Sequence, residues 1–253
     1  MKTAVSQSFS NCDETRRRFL ETGKKPLFLG NWERVLFIHY EVPPETLQPL
    51  VPFELDLWRG AAFVSVVVFS MRRLRPGFGG KWTETLLRPI ANHEFLNVRT
   101  YVRHGGRRGI YFMAEWVNNP ISLVLGPWAY GLPYRFGRID YRHDHEIGRI
   151  SGRVADNFSY AGRLSPATRF QACERDSLDE FLLERYSAFT RWLSLRRAFN
   201  IWHEPWPQCE IDLDVHDELL RETGPWFDKA HRIGANYSPG VGDIWMGAPQ
   251  RVN

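Results

Sequence analysis

The stretch from Glu94 to Val117 limits the architecture of this chain more than any other. Glu94–Arg103 alternates apolar and polar side chains, His104-Gly105-Gly106-Arg107-Arg108 supplies a turn, and Gly109–Val117 returns, which together predict a β-hairpin. Upstream, Ala61–Met71 is β-branched, aromatic and almost uncharged, the composition of a strand buried on both faces. Val35–Val42 reads as another strand, stopped by Pro43-Pro44, with one helical turn over Glu45–Leu50. Further strands are expected across residues 138 to 164. A capping box at Ser177-Leu178-Asp179-Glu180 predicts a helix running to about Leu195. The tail from Asn236 to Trp245 combines a turn with a short last strand. No internal repeat or low-complexity linker divides the chain. The expectation is an α+β protein, mainly antiparallel β, with a single domain over 31–253 and an N-terminal arm or short helix over 1–30.

Composition narrows the function classes. The 253 residues are 43% apolar and 14% aromatic, with ten tryptophans, enough for a full core and for the wall of a small-molecule pocket. Net charge is +4; of the 33 basic residues only Lys2, Lys24, Lys25, Lys81 and Lys229 are lysines. The arginine runs are interspersed with acids and no nucleic-acid motif accompanies them, so no nucleic-acid partner is expected. Cys12, Cys173 and Cys209 lie far apart without CxxC spacing, which suits reduced thiols in a cytoplasmic protein. No apolar run is long enough to span a bilayer. Thr15-Arg16-Arg17-Arg18-Phe19-Leu20 has the start of a twin-arginine signal, but Glu21-Thr22-Gly23-Lys24-Lys25 replaces the apolar segment that should follow. A homo-oligomer is compatible with the sequence.

Strand periodicity selects the candidate site residues. Asn97, Arg99 and Tyr101 share one face of the first hairpin strand; that face either lines an anion-binding cavity or is solvated. Glu94 falls out of phase with them unless a β-bulge intervenes. On the return strand, strict alternation puts Glu115 on one face with Tyr111 and Met113. It is either a buried acid or base or a surface acid beside Arg99 or Arg103. Tyr134 with neighbouring Arg135 either polarises a bound oxyanion or anchors a Pro-fixed turn. His203 is a candidate base or part of a rigid His-Glu-Pro-Trp turn. His143-Asp144-His145 places two imidazoles on one strand face, but no third ligand follows, so no metal is expected. There is no nucleophile elbow, P-loop or dinucleotide fingerprint, and no cofactor is implied.

The ordered segments Glu94–Val102, Gly109–Phe112, Gly131-Leu132-Pro133-Tyr134, Phe181–Tyr186, His203-Glu204-Pro205-Trp206-Pro207 and Tyr237–Val241 resemble the YqjF-like family, also called DUF2071. The likeness runs from about residue 31 to the C-terminus, although an arginine frequent ahead of the family's Leu-Pro-Tyr is replaced around Pro127-Trp128. More distantly, Leu50–Asp56 and Leu132–Gly137 resemble acetoacetate decarboxylase, over roughly the first 140 residues. In that family a proline precedes two lysines, the first forming a Schiff base and the second lowering its pKa. Here Tyr134 and Arg135 stand at those positions, and neither can form an imine. The resemblance implies a β-barrel with peripheral helices around a cavity. It places Glu94 near one of that family's two active-site glutamates, and Ser65 near the other. The implied function is a cofactor-independent lyase- or isomerase-type enzyme for a small carboxylated or carbonyl compound, without Schiff-base chemistry. The alternative is a non-catalytic barrel that binds a small acidic or aromatic ligand as sensor or carrier. A side-chain-filled barrel acting through a partner is the third choice.

Overall fold

In the computed structural model, which describes residues 8–21, 25–79, 85 and 87–253, the long central strands bury both faces. In chain order the strands are β1 (Phe28–Val42), β2 (Glu54–Leu55), β3 (Ala62–Pro76), β4 (His93–His104) and β5 (Arg107–Val117). They continue as β6 (Tyr134–Phe136), β7 (Ile139–Asp144), β8 (Arg149–Val154), β9 (Phe158–Arg163), β10 (Ser187–Trp192) and β11 (Leu195–Trp202). The last are β12 (Cys209–Glu210), β13 (Leu213–His216), β14 (His231–Met246) and β15 (Gln250–Arg251). The α-helices α1 (Ser8–Glu21), α2 (Pro44–Leu47), α3 (Pro120–Tyr130) and α4 (Leu178–Leu183) lie around them.

Hydrogen bonding closes the larger sheet into a ring, in the order β14, β1, β3, β4, β5, β10, β11 and back to β14. The closing pairs are Ile201 with Met246 and Trp202 with Trp245. Every neighbour in the ring is antiparallel except β5 and β10, which pair in parallel through Ile110 with Ala188 and Tyr111 with Phe189. The fold is therefore mainly antiparallel β with few helices. Inward residues such as Phe37, Val67, Phe95 and Phe112 form one apolar cluster. Outward residues such as Leu36, Val66 and Val98 pack on Ile150, Val154 and Phe158 of a second sheet, ordered β13, β9, β8, β7. Covering the outside of the ring is what buries the second face of each strand.

The hairpin lies where the alternation places it, and its turn tightens to Gly105 and Gly106, at φ of 56° and 75°. Positive φ at both central residues gives the twist that antiparallel strands need. One irregularity matters. Val98 pairs with Ala114 but Arg99 pairs with Phe112, so Met113 is an extra residue bulged out of β5.

Three elements differ from the sequence expectation. The capping box forms, with the Ser177 hydroxyl accepting from the Glu180 amide at 3.1 Å, but the helix stops at Leu183. Beyond it, Arg185 is drawn into a 2.6 Å ion pair with Asp56, and the aromatic and β-branched run after it joins the ring as β10. The tail is one sixteen-residue strand, β14, paired along the whole of β1. Finally, α3 occupies a stretch for which no element was expected. Asn119 caps it by accepting from the amides of Ile121 and Ser122, Pro120 opens it and Gly131 ends it. At the N-terminus, α1 docks through Cys12 and Phe19 onto Tyr186 and Trp202, consistent with a short helix there. No described helix is long and apolar enough to cross a membrane.

Candidate functional site

A cavity of about 270 Å³ lies inside the ring, walled mainly by aromatic and aliphatic side chains including Trp32, Phe37, Phe69, Phe112 and Phe199. Among the expected site residues, Asn97, Arg99, Glu115 and Tyr134 line it. Pairing sets their arrangement. Asn97 on β4 stands opposite Glu115 on β5, and Glu115 stands opposite Tyr134 on β6. An amide, a carboxyl and a phenol thus form a row across three adjacent strands, each about 4.8 Å from the next. Arg99 is two residues further along β4 on the same face.

The bulge at Met113 puts Glu115 there. Before it, Ile110 and Phe112 point inward and Tyr111 outward. Without an extra residue, strict alternation would send Ala114 and Trp116 inward and Glu115 outward. With Met113 bulged, Ala114 and Trp116 pack on the outer cluster, while Glu115 and Val117 turn inward.

The polar groups in the cavity are buried and incompletely satisfied. Glu115 is 3% exposed, Asn97 5% and Arg99 7%. Glu115 Oε1, Asn97 Oδ1 and Arg99 Nε have no hydrogen-bond partner among the described residues. Burial pushes the Glu115 carboxyl well above the usual carboxylate range, a rise that the positive charge of Arg99 only partly offsets. Arg99 donates from Nη2 to the Leu182 carbonyl at 3.3 Å and lies 5.4 Å over the Phe37 ring. Among the described residues it has no carboxylate within 4.0 Å. The Tyr134 hydroxyl is likewise pushed up, first by burial and then by Glu115 and Tyr130, so it stays neutral. Buried polar atoms normally find partners, and several unpaired ones around one void are what a ligand site leaves open.

Beyond Arg99 a polar plug closes the floor. Tyr101 donates to the Leu182 carbonyl at 2.9 Å and lies 2.5 Å from the Ser65 hydroxyl. Ser65 is 2.7 Å from His39 Nδ1, and His39 Nε2 is 3.0 Å from Asn236 Oδ1. Burial, reinforced by the charge of Arg99, pushes His39 down to about 3 and keeps it neutral.

Five expected site residues fall elsewhere. Glu94 keeps its strand phase and faces away from the cavity, bonded to Ser70 and paired with Arg72 at 2.5 Å. The only bulge on this hairpin is in β5, so it moves Glu115 rather than Glu94. Tyr101 belongs to the floor plug, and Tyr111 packs outside because it precedes the bulge. Arg135 follows Tyr134 on a strand and so points outward, 5.1 Å over the Trp116 ring and 3.5 Å from Glu222. His203 lies off the cavity, stacked on Tyr186 with ring centroids 4.8 Å apart, and its Nδ1 is 2.7 Å from the Glu204 carbonyl. His143 uses both ring nitrogens, on the Arg34 carbonyl at 2.7 Å and the Tyr160 hydroxyl at 2.5 Å.

Three polar cavity residues escaped the sequence reading. Trp32 Nε1, both ring nitrogens of His93 and the Tyr130 hydroxyl are buried, unpartnered among the described residues and in the lining. Tyr130 was discoverable, since it sits one residue before the glycine that ends α3; nothing local marks Trp32.

Comparison with known proteins agrees with the fold. The sequence profile of the DUF2071 family, described as an uncharacterized conserved protein, matches residues 30–241. The uncharacterized protein YqjF of Bacillus subtilis (strain 168) is 30% identical over 220 residues, covering 82% of this chain and 89% of that one. Among solved structures, an acetoacetate decarboxylase-like enzyme from Sphingomonas wittichii RW1 superposes with a TM-score of 0.62 at 16% identity, covering 90% of this chain and 94% of that one. Acetoacetate decarboxylase from Legionella pneumophila gives 0.62 at 13% identity, over 91% and 88% of the two chains. The enduracididine biosynthesis enzyme MppR, complexed with pyruvate, gives 0.61 at 14% identity, over 91% of each. The fold is that of the acetoacetate decarboxylase-like enzymes, and the chain belongs to the DUF2071 family.

Proposed function

We propose that this protein is a cofactor-independent enzyme of lyase or isomerase type that acts on a small carboxylated carbonyl compound without a Schiff base. One observation carries the proposal: Arg99 is a buried guanidinium in the wall of a largely apolar cavity, with no carboxylate partner among the described residues and with Nε unpartnered. A lone buried cation is costly, and a bound carboxylate supplies the missing counter-charge. Asn97 and Tyr134 then orient the substrate oxygen. Glu115, whose carboxyl burial pushes well above the usual carboxylate range, protonates the enolate oxygen or carbanion left when a bond of the substrate breaks, and it regains a proton from water when the product leaves. No lysine is among the described lining residues, which supports chemistry without an imine. MppR, which shares the fold, is recorded with pyruvate, and this favours an oxo acid. The free thiols Cys12, Cys173 and Cys209 favour a cytoplasmic setting.

The test is a thermal-shift screen of short oxo acids, hydroxy acids and aromatic acids on wild type and Arg99→Ala. A ligand at a hundred times its Kd stabilises the fold by about 2.7 kcal/mol. That shift should vanish in Arg99→Ala, and silence across the panel rejects the anion site. Turnover is read by NMR as solvent deuterium entering the bound acid. Exchange lost in Glu115→Gln supports the enzyme. Binding with no exchange in wild type leaves the sensor or carrier instead.

A further inference from the structure

The cavity has a direction. Its wall includes the successive inward residues of β4, namely His93, Phe95, Asn97 and Arg99. Tyr101, next in that series, belongs to the plug with Ser65 and His39. Arg99 is therefore at the floor. The Asn97–Glu115–Tyr134 row is one step higher, about 6.7 Å along the strand at 3.3 to 3.4 Å per residue. Above the row, another four residues of β4, about 13 Å, rise toward α3 and the turn at Arg88–Ile90. The upper walls are mainly apolar, Phe69, Phe95, Met71, Leu74, Ile90 and Leu125, with the His93 ring and the Trp32 indole among them. A three-carbon acid reaches from the floor to the row and leaves this upper part unfilled, whereas good ligand pockets bury most of the ligand against their walls.

Building on the anion-site proposal, we infer that the substrate is an oxo or hydroxy acid with a sizeable apolar body, of phenyl or hexyl size. It binds with its carboxylate down on Arg99, its oxygen-bearing carbon level with Asn97 and Glu115, and its body toward α3. Two features carry the orientation. The charged groups of the lining, Arg99 and Glu115, are both in the lower part beside Asn97, and each of these three residues is more than nine-tenths buried. Above them the wall is mainly apolar, interrupted by the unpartnered Trp32 indole, His93 ring and Tyr130 hydroxyl, so affinity should grow with chain length through the apolar contacts.

The experiment measures Kd by calorimetry for straight-chain 2-oxo acids of increasing length, from pyruvate upward, with phenylpyruvate as the aryl member. Matched primary amides, which lack the charge, are run alongside on wild type and Arg99→Gln. Burial of one methylene is worth about fourfold in Kd, so affinity should rise by roughly that factor per carbon until the upper cavity is full. The amides and Arg99→Gln should lose at least tenfold at every length. If short oxo acids bind in an Arg99-dependent manner but longer ones bind no better, this inference fails while the anion site stands. If long amides bind as well as long acids, or no acid binds wild type at any length, the anion site itself is wrong and this inference goes with it. The series on wild type decides the length question even if Arg99→Gln folds poorly.

Discussion

Replacing Glu115 by glutamine should change the slope of stability against pH, and the structure sets its sign. Burial raises the pKa of this carboxyl well above the ordinary carboxylate range, so above the unfolded value the native protein keeps a proton that the unfolded chain releases. Unfolding then liberates a proton, and stability contributed by this group falls as pH rises above the unfolded value, until the folded carboxyl itself titrates. Each pH unit in that window is worth up to about 1.4 kcal/mol. Across that window wild type should steadily lose stability relative to Glu115→Gln as the pH rises. Glutamine keeps the shape and is neutral at all these values, so any cost of the amide is a constant offset and leaves the slope untouched. Other titrating groups, such as Glu184, which burial raises to about 7, cancel in the difference between the two proteins. Urea unfolding at fixed ionic strength across this range gives the curve. A difference that stays flat with pH would mean that Glu115 titrates as an ordinary solvated carboxyl, and its assignment as the proton donor would be lost.

Three further outcomes follow from the geometry. Arg99→Met, removing an unpaired buried charge, should leave stability unchanged or raise it by about 1–3 kcal/mol while abolishing the response to oxo acids; a loss beyond about 2 kcal/mol would make Arg99 a structural prop. A β-carbon at Gly126 would sit 2.1 Å from Tyr134 Cε2, so Gly126→Ala should cost about 1–3 kcal/mol in thermal or urea melts. Elsewhere in a helix the same change gains about 1 kcal/mol, so a raised Tm would show that the Tyr134 ring is not held against α3. Borohydride reduction in the presence of acetoacetate should leave the intact mass unchanged, and a stable adduct on any lysine would overturn the imine-free chemistry.

The long strands were legible because period-two patterning survives in them: Asn97, Arg99 and Tyr101 do share the inward face of β4. Which face was inward was not legible, since the second sheet buries the other face with residues equally apolar. The site depended on a feature that local sequence hides. Met113 carries no glycine or proline to announce a bulge, yet it moves Glu115 from the outer wall to the cavity and leaves Tyr111 outside. Alternation through Met113 therefore assigns the face of Glu115 wrongly. Elsewhere the signal was present but outcompeted: the Ser177 cap is real, while Arg185 and the run after it answer to Asp56 and to the sheet. For α3 the signals, Asn119-Pro120 at the start and Gly131 at the end, were in plain view.

The strand order has a consequence for biosynthesis. β1 leaves the ribosome about two hundred residues before its partner β14, with Phe28 paired to Met246. The β1, β3, β4, β5 meander can assemble early, but its apolar concave side and the open edge of β1 must wait for nearly the whole chain. Contacts that far apart in sequence form slowly, and an exposed apolar edge invites pairing with another nascent chain. A ribosome stalled just before residue 231 should thus hold a sticky half-ring without a cavity, the stage at which a chaperone is most needed.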